Sequence, residues 1–130
     1  MESTMSIVPA QAKCIDEIIR LFPTFFSPSS MKFFNSKVYN EVYGGCVFIT
    51  SEKDSGPYQS RRAWDGKRRY TVRVMLNPSK LSSGPGRIMT WGNFGDYATL
   101  RQARRQAKWL AGEILSGNVI QDGYELAIKA

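Results

Sequence analysis

Apolar positions recur along this chain with two different periods, and the change of period divides it. Between Pro9 and Phe22, the residues Cys14, Ile15, Ile18, Ile19 and Phe22 fall at helical spacing. This predicts an amphipathic helix with Pro9 in its first turn and Pro23 as its stop. Thr24 to Ser30 (TFFSPSS) sets turn residues between aromatics, and Ser29 or Ser30 can cap a short helical turn through Met31, Lys32, Phe33 and Phe34. Those aromatics read as core or lid. From Gly45 the period shortens to two. Cys46 to Thr50 (CVFIT) reads as a strand, and Arg69 to Met75 (RYTVRVM) puts Tyr70, Val72 and Val74 on one face and Arg69, Thr71 and Arg73 on the other. Arg87 to Trp91 (RIMTW) reads as a returning strand, with Ile88 and Thr90 opposite Arg87, Met89 and Trp91. Ser51 to Asp65 reads as an exposed polar loop, and Asn77 to Gly86 as a turn-rich hairpin connection.

The last strong pattern is a second helix. Thr99 with Gln102 three residues on forms a capping box, and Gly117 after Ser116 fits a terminating glycine. Between them Leu100, Ala103, Ala107, Leu110, Ala111 and Ile114 share one face. The tail is weakly patterned, with Tyr124, Leu126 and Ile128 spaced for a short edge strand. The fold class expected is α+β: a three- or four-stranded antiparallel sheet with one long helix packed on one face, plus an N-terminal amphipathic helix. A length of 130 residues fits a single domain. It comprises a helical N-terminal segment (1–36), a sheet-plus-helix core (45–117) and a tail (118–130).

Composition removes several chemistries. There is no histidine, and Cys14 and Cys46 stand apart, so zinc, haem and copper lack their usual ligands; no metal or other cofactor is expected. A nucleophilic serine or Cys46 would need a base other than histidine, and no signature marks one. Glu52 with Asp54 could hold Mg²⁺ as a nuclease does, or be two solvated acids on a polar loop. Gly84-Pro85-Gly86 is a turn, since the phosphate-loop pattern is absent. The chain is expected not to be an enzyme. The stretch MESTMSIVPAQAK has no signal-peptide pattern, and no apolar run approaches the ~18 residues of a membrane span. A cytoplasmic protein with reduced thiols is expected.

Charge supplies the positive indication. Of the formal net charge of +7, residues Ser60 to Leu110 carry twelve Lys and Arg against Asp65 and Asp96. Such a field attracts polyanions, nucleic acid first.

Two resemblances add to this. RYTVRV, GRIMTWGNF and YATLRQARRQAKWLAGEILSGN are similar to the arm-binding domain of tyrosine-type phage integrases, in which a three-stranded sheet packs on one helix. The matching residues are Trp91-Gly92, Phe94, Tyr97, Leu100, Ala103, Arg104 and Gly117. The resemblance spans about sixty residues and implies binding to double-stranded DNA, not recombination. More broadly, FFSPSSMKFFNSKV, VFITSE, RRYTVR and W-G-x-F-x-x-Y resemble small uncharacterised proteins of phages and plasmids. That implies an accessory protein of a mobile element.

If the long helix covers the face bearing Tyr70, Val72 and Val74, then Arg69, Thr71, Arg73, Arg87, Met89 and Trp91 share the other. Arginines on that face can fork onto guanines in the major groove while Arg61, Arg62, Lys67 and Arg68 reach phosphates. The same residues also suit ordinary solvated charges on a half-exposed sheet. Arg101, Arg105 and Lys108 form a second basic ridge on the outer side of the helix, pointing away from the sheet. Arg73, Arg87, Arg101 and Arg105 are then expected to lie outside the core. Trp109 is expected to pack against the N-terminal segment. A different class remains open: an inhibitor of a host defence complex, such as an anti-CRISPR or related counter-defence factor, that binds a nucleic-acid-processing protein.

Overall fold

The strand-forming segment around Tyr70 becomes the centre of the molecule because both of its faces find apolar cover. A computed structural model describes residues 4–33, 35–53, 67–76, 87–123 and 125–129. In chain order the elements are β1 (Thr4–Ser6), α1 (Ile15–Leu21), α2 (Pro28–Phe33), β2 (Lys37–Tyr43), β3 (Val47–Lys53), β4 (Arg68–Leu76), β5 (Arg87–Trp91), α3 (Leu100–Leu115), β6 (Val119–Asp122) and β7 (Glu125–Ile128). The fold is α+β, with a four-stranded antiparallel sheet in the order β2-β3-β4-β5 and a smaller sheet in the order β1-β6-β7.

The helix α3 lies on one face of the larger sheet. Its Ala103, Ala107, Leu110, Ala111 and Ile114 are buried against Val47, Ile49, Val72, Val74 and Met89. Leu100 is half-buried at the edge of this cluster. The capping box forms as the sequence predicts: Thr99 Oγ1 accepts from the Gln102 amide at 3.1 Å, while Gln102 Oε1 accepts from the Thr99 amide at 3.2 Å. At the β2–β3 turn Gly44 has φ +58°, and a Cβ there would stand 3.0 Å from Ala111 Cβ. Only glycine lets that turn both reverse and approach the helix.

The opposite face is covered as well. Ile15 and Ile18 of α1, with Phe22, Phe25 and Phe26, pack on Phe48, Met75, Val38, Val42 and Ile88. Phe25 and Phe26 stand edge to face with centroids 4.8 Å apart, and Phe26 lies 5.9 Å from Phe48. Burying such rings is a large apolar contribution to the fold. The half-exposed sheet expected from sequence is therefore a sheet enclosed on both sides.

Three other expectations are corrected. The first helix is shorter than the Pro9–Phe22 pattern, beginning at Ile15. The Ala10 amide donates to Met75 O at 2.9 Å and that of Ala12 to Gly45 O at 2.7 Å, so residues 9–12 run extended along the sheet. Pro9 has no amide hydrogen and bridges Leu76 instead of opening a helix. The strand β3 extends through Glu52 to Lys53, shortening the expected loop. The strands β1, β2 and β6 were not anticipated, whereas β7 occupies the predicted tail strand. The rest of the 51–65 loop and the 77–86 connection lie outside the described residues.

Candidate functional site

Register decides where the basic residues of the sheet go. Val72 stands opposite Trp91, Val74 opposite Met89 and Leu76 opposite Arg87, so Arg87, Met89 and Trp91 belong to the α3 side. Arg69, Thr71 and Arg73 are on the other side with Ile88 and Thr90. The single arginine face expected from sequence does not exist, because antiparallel pairing sets the two arginine rows on opposite faces.

Nor is Arg73 open to a groove. Its side chain is 13% exposed and pairs with Glu52 Oε2 at 3.3 Å, the Glu52 side chain being 1% exposed. Arg73 Nε donates to Thr50 Oγ1 at 3.1 Å, and Nη1 donates to Thr90 Oγ1 at 2.8 Å. The hydroxyls of Thr50 and Thr71 each donate to the Glu52 carboxylate at 2.6 Å. The guanidinium carbon lies 5.4 Å from the Phe25 centroid and 5.5 Å from that of Phe94. Burial pulls Arg73 below its ordinary pKa and Glu52 opposes that pull; arginine nonetheless stays charged. Glu52, expected in a solvated loop beside Asp54, is thus the counter-ion of Arg73; Asp54 lies outside the described residues. Among the described residues no group of three potential metal ligands occurs.

The neighbouring arginines are structural latches. Arg69 Nε donates to Gly95 O at 2.8 Å and its Nη2 to Asp96 O at 3.1 Å. The Gly95 amide donates to the buried Thr71 hydroxyl at 2.9 Å. Tyr70 and Tyr97 exchange backbone bonds of 2.9 and 3.0 Å. The W-G-x-F-x-x-Y stretch is therefore a turn strapped across β4. Gly92 takes φ +73°, where a Cβ would meet Asp96 Oδ2 at 2.6 Å. Arg68 Nη1 donates to Asn35 O at 3.0 Å and to Ser51 Oγ at 2.9 Å. Lys67 and Arg87 are exposed, and Arg61 and Arg62 lie outside the described residues.

The outer side of α3 differs. Arg101, Arg105 and Lys108 are exposed at i, i+4 and i+7, and none forms an ion pair among the described residues. The helix carries no acid before Glu113. Arg104 turns away to β2, where its Nη2 lies 2.9 Å from Glu41 Oε2 and its Nε 3.0 Å from both carboxylate oxygens. Arg104 holds the Glu41 carboxyl below its ordinary pKa, chiefly through that hydrogen bonding. Trp109 packs against Trp91, with centroids 6.0 Å apart, and not against the N-terminal segment as expected. Its remaining 44% exposure forms a shallow depression with Arg105 and Gln106. The helical spacing made this ridge visible in the sequence; the availability of Trp109 beside it was missed, since that depends on where Trp91 lands.

Residues 14–108 match a family of unknown function (DUF7447), and the chain belongs to that family. No curated protein and no solved structure matches the chain. Among the described residues no helix is long and apolar enough to cross a membrane.

Proposed function

We propose that this protein binds nucleic acid, duplex DNA first, without catalysing a reaction, and that it does so through the outer face of α3. The observation that carries this reading is the set of three exposed cations, Arg101, Arg105 and Lys108, without an ion pair among the described residues, on one helix face beside the accessible ring of Trp109. Seven residues of helix rise about 10 Å, a span that reaches successive phosphates of one strand. The formal net charge of +7 supplies the long-range attraction. In this reading the sheet arginines maintain the fold, and the ridge makes the contact. The biological setting that goes with it is an accessory protein of a phage or other mobile element, acting in the cytoplasm.

The experiment is a fluorescence-anisotropy titration of a labelled duplex at several salt concentrations. Three to four phosphate contacts predict that log K falls against log salt with a slope near −3, at ~0.9 per contact. No binding at low salt overturns the reading and favours an acidic protein surface, such as that of a host defence complex, as the partner of the ridge.

A further inference from the structure

On the face of the sheet away from α3, a cavity of about 360 Å³ opens between the Thr24–Met31 segment and the strands. Phe25, Met31 and Phe94 supply most of its apolar wall, Ser36 stands on its lining, and Glu52 and Arg73 lie at its polar end. The volume is within the range of small-molecule sites, as is an apolar lining with a few convergent polar groups.

The chemistry of the polar end restricts what can enter. Arginine has five N–H groups. Among the described residues three of those of Arg73 are used, by Thr50, Thr90 and Glu52, which leaves one hydrogen on each Nη nitrogen. Glu52 is already served by two hydroxyls and the guanidinium. The pair is therefore electrically neutral but retains two donors. A second carboxylate or a phosphate would add a negative charge beside Glu52 with one cation to share, in a poorly hydrated place. A cation would meet the guanidinium. A neutral, flat molecule with two adjacent acceptors avoids both conflicts and can use the rings and the thioether of the wall. Guanine has that pair in O6 and N7, the acceptors that an arginine fork matches.

We propose that this cavity binds a guanine base, as a free nucleoside or unpaired in a strand, with the two Nη hydrogens of Arg73 donating to O6 and N7. The site is separate from the α3 ridge and stands whether or not duplex binding occurs there.

The test uses the full chain with ¹³C-labelled methionine methyl groups, titrated with guanosine, adenosine and benzoate and followed by NMR. Guanosine should shift the Met31 methyl signal saturably. Adenosine, which sets an N–H₂ donor where guanine has O6, should bind at least about tenfold more weakly. Benzoate should bind no better than adenosine. A thymine-run oligonucleotide carrying one guanine separates the strand-borne base from the nucleoside: a guanine-dependent shift of Met31 extends the site to strands, and its absence confines the site to the nucleoside. Equal responses to guanosine and adenosine, preference for benzoate, or no movement of Met31 with guanosine overturns the proposal. Arg73→Lys keeps the charge against Glu52 and loses the fork, so it should abolish the preference for guanosine. If that variant does not fold, Ser36→Phe obstructs the cavity without touching the ion pair. Unchanged guanosine affinity in Ser36→Phe also overturns the assignment.

Discussion

Arg73 Nη2 and Glu52 Oε2 meet at 3.3 Å across the two central strands, beneath the aromatic cover of the N-terminal segment. Removing one member of a buried pair leaves the other charge uncompensated, at about 3–5 kcal/mol. Arg73→Met is therefore expected to destabilise strongly, in contrast to the sequence-based expectation that the position is tolerant. Arg73→Met combined with Glu52→Leu should recover most of the loss. Urea denaturation of the two single variants and the double variant checks this; additive losses would show that the charges do not act as a pair.

The DNA reading now places its weight on α3. Arg101→Ala, Arg105→Ala and Lys108→Ala together should remove three phosphate contacts and flatten the salt slope by about 2.7, at ~0.9 each. The fold should be unaffected, since all three side chains are exposed. Lys67→Ala with Arg87→Ala, exposed but off the ridge, should change binding much less. Anisotropy titrations of the two sets in parallel decide between the surfaces, and a larger loss from the second set would move the interface off the helix.

Leu110 is fully buried where α3 meets the sheet. Leu110→Ala should cost roughly 2–4 kcal/mol through lost contacts and a residual cavity. Arg105→Ala, at the exposed surface, should stay within about 0.5 kcal/mol of the parent. Denaturant midpoints with unchanged m-values are the measurement.

Alkaline pH should weaken the fold progressively. Burial pushes the Cys46 thiol up to about 11 from an ordinary value of 9.0, and the Tyr97 hydroxyl up to about 12 from 10.0, with Asp96 adding to the latter. Both groups hold their protons more tightly when folded, so their stabilisation is complete below pH 9 and is lost between about 9 and 12. The two units at Cys46 correspond to at most about 2–3 kcal/mol. The half-buried Tyr97 contributes less, because solvent screens it. Urea midpoints from pH 8 to 12 should fall, and Tyr97→Phe should flatten the upper part of that fall. At pH 8 a thiol reagent should modify exposed Cys14 while sparing Cys46.

The readable parts of the chain were those with one polar and one apolar side. In α3 the buried stripe and both caps follow from spacing alone, and β4 shows its alternation openly. The strand β2 was not legible because both of its faces carry apolar residues: Tyr39 and Tyr43 pack toward α3 while Val38 and Val42 pack toward α1. A two-sided strand has no polar alternation to read. The same double burial misled the reading of Arg73. A charged residue at an alternate position looks identical whether it faces water or a carboxylate; the β3–β4 register puts Glu52 on the same face, opposite Arg69, from where its carboxylate meets the Arg73 guanidinium. The ridge of Arg101, Arg105 and Lys108 needed no tertiary information for its spacing, yet its standing as the leading surface follows from the closure of the other.

Of the two outer strands of the larger sheet, β2 and β5, the longer open edge belongs to β2. Its ladder to β3 is irregular between Val38 and Val42, where four residues advance against two. An incoming strand would find no regular row of donors and acceptors to copy, and Lys37 would charge its end. Growth of the sheet by self-pairing, the common route from a small β-rich protein to aggregates, is discouraged at this edge by that irregularity.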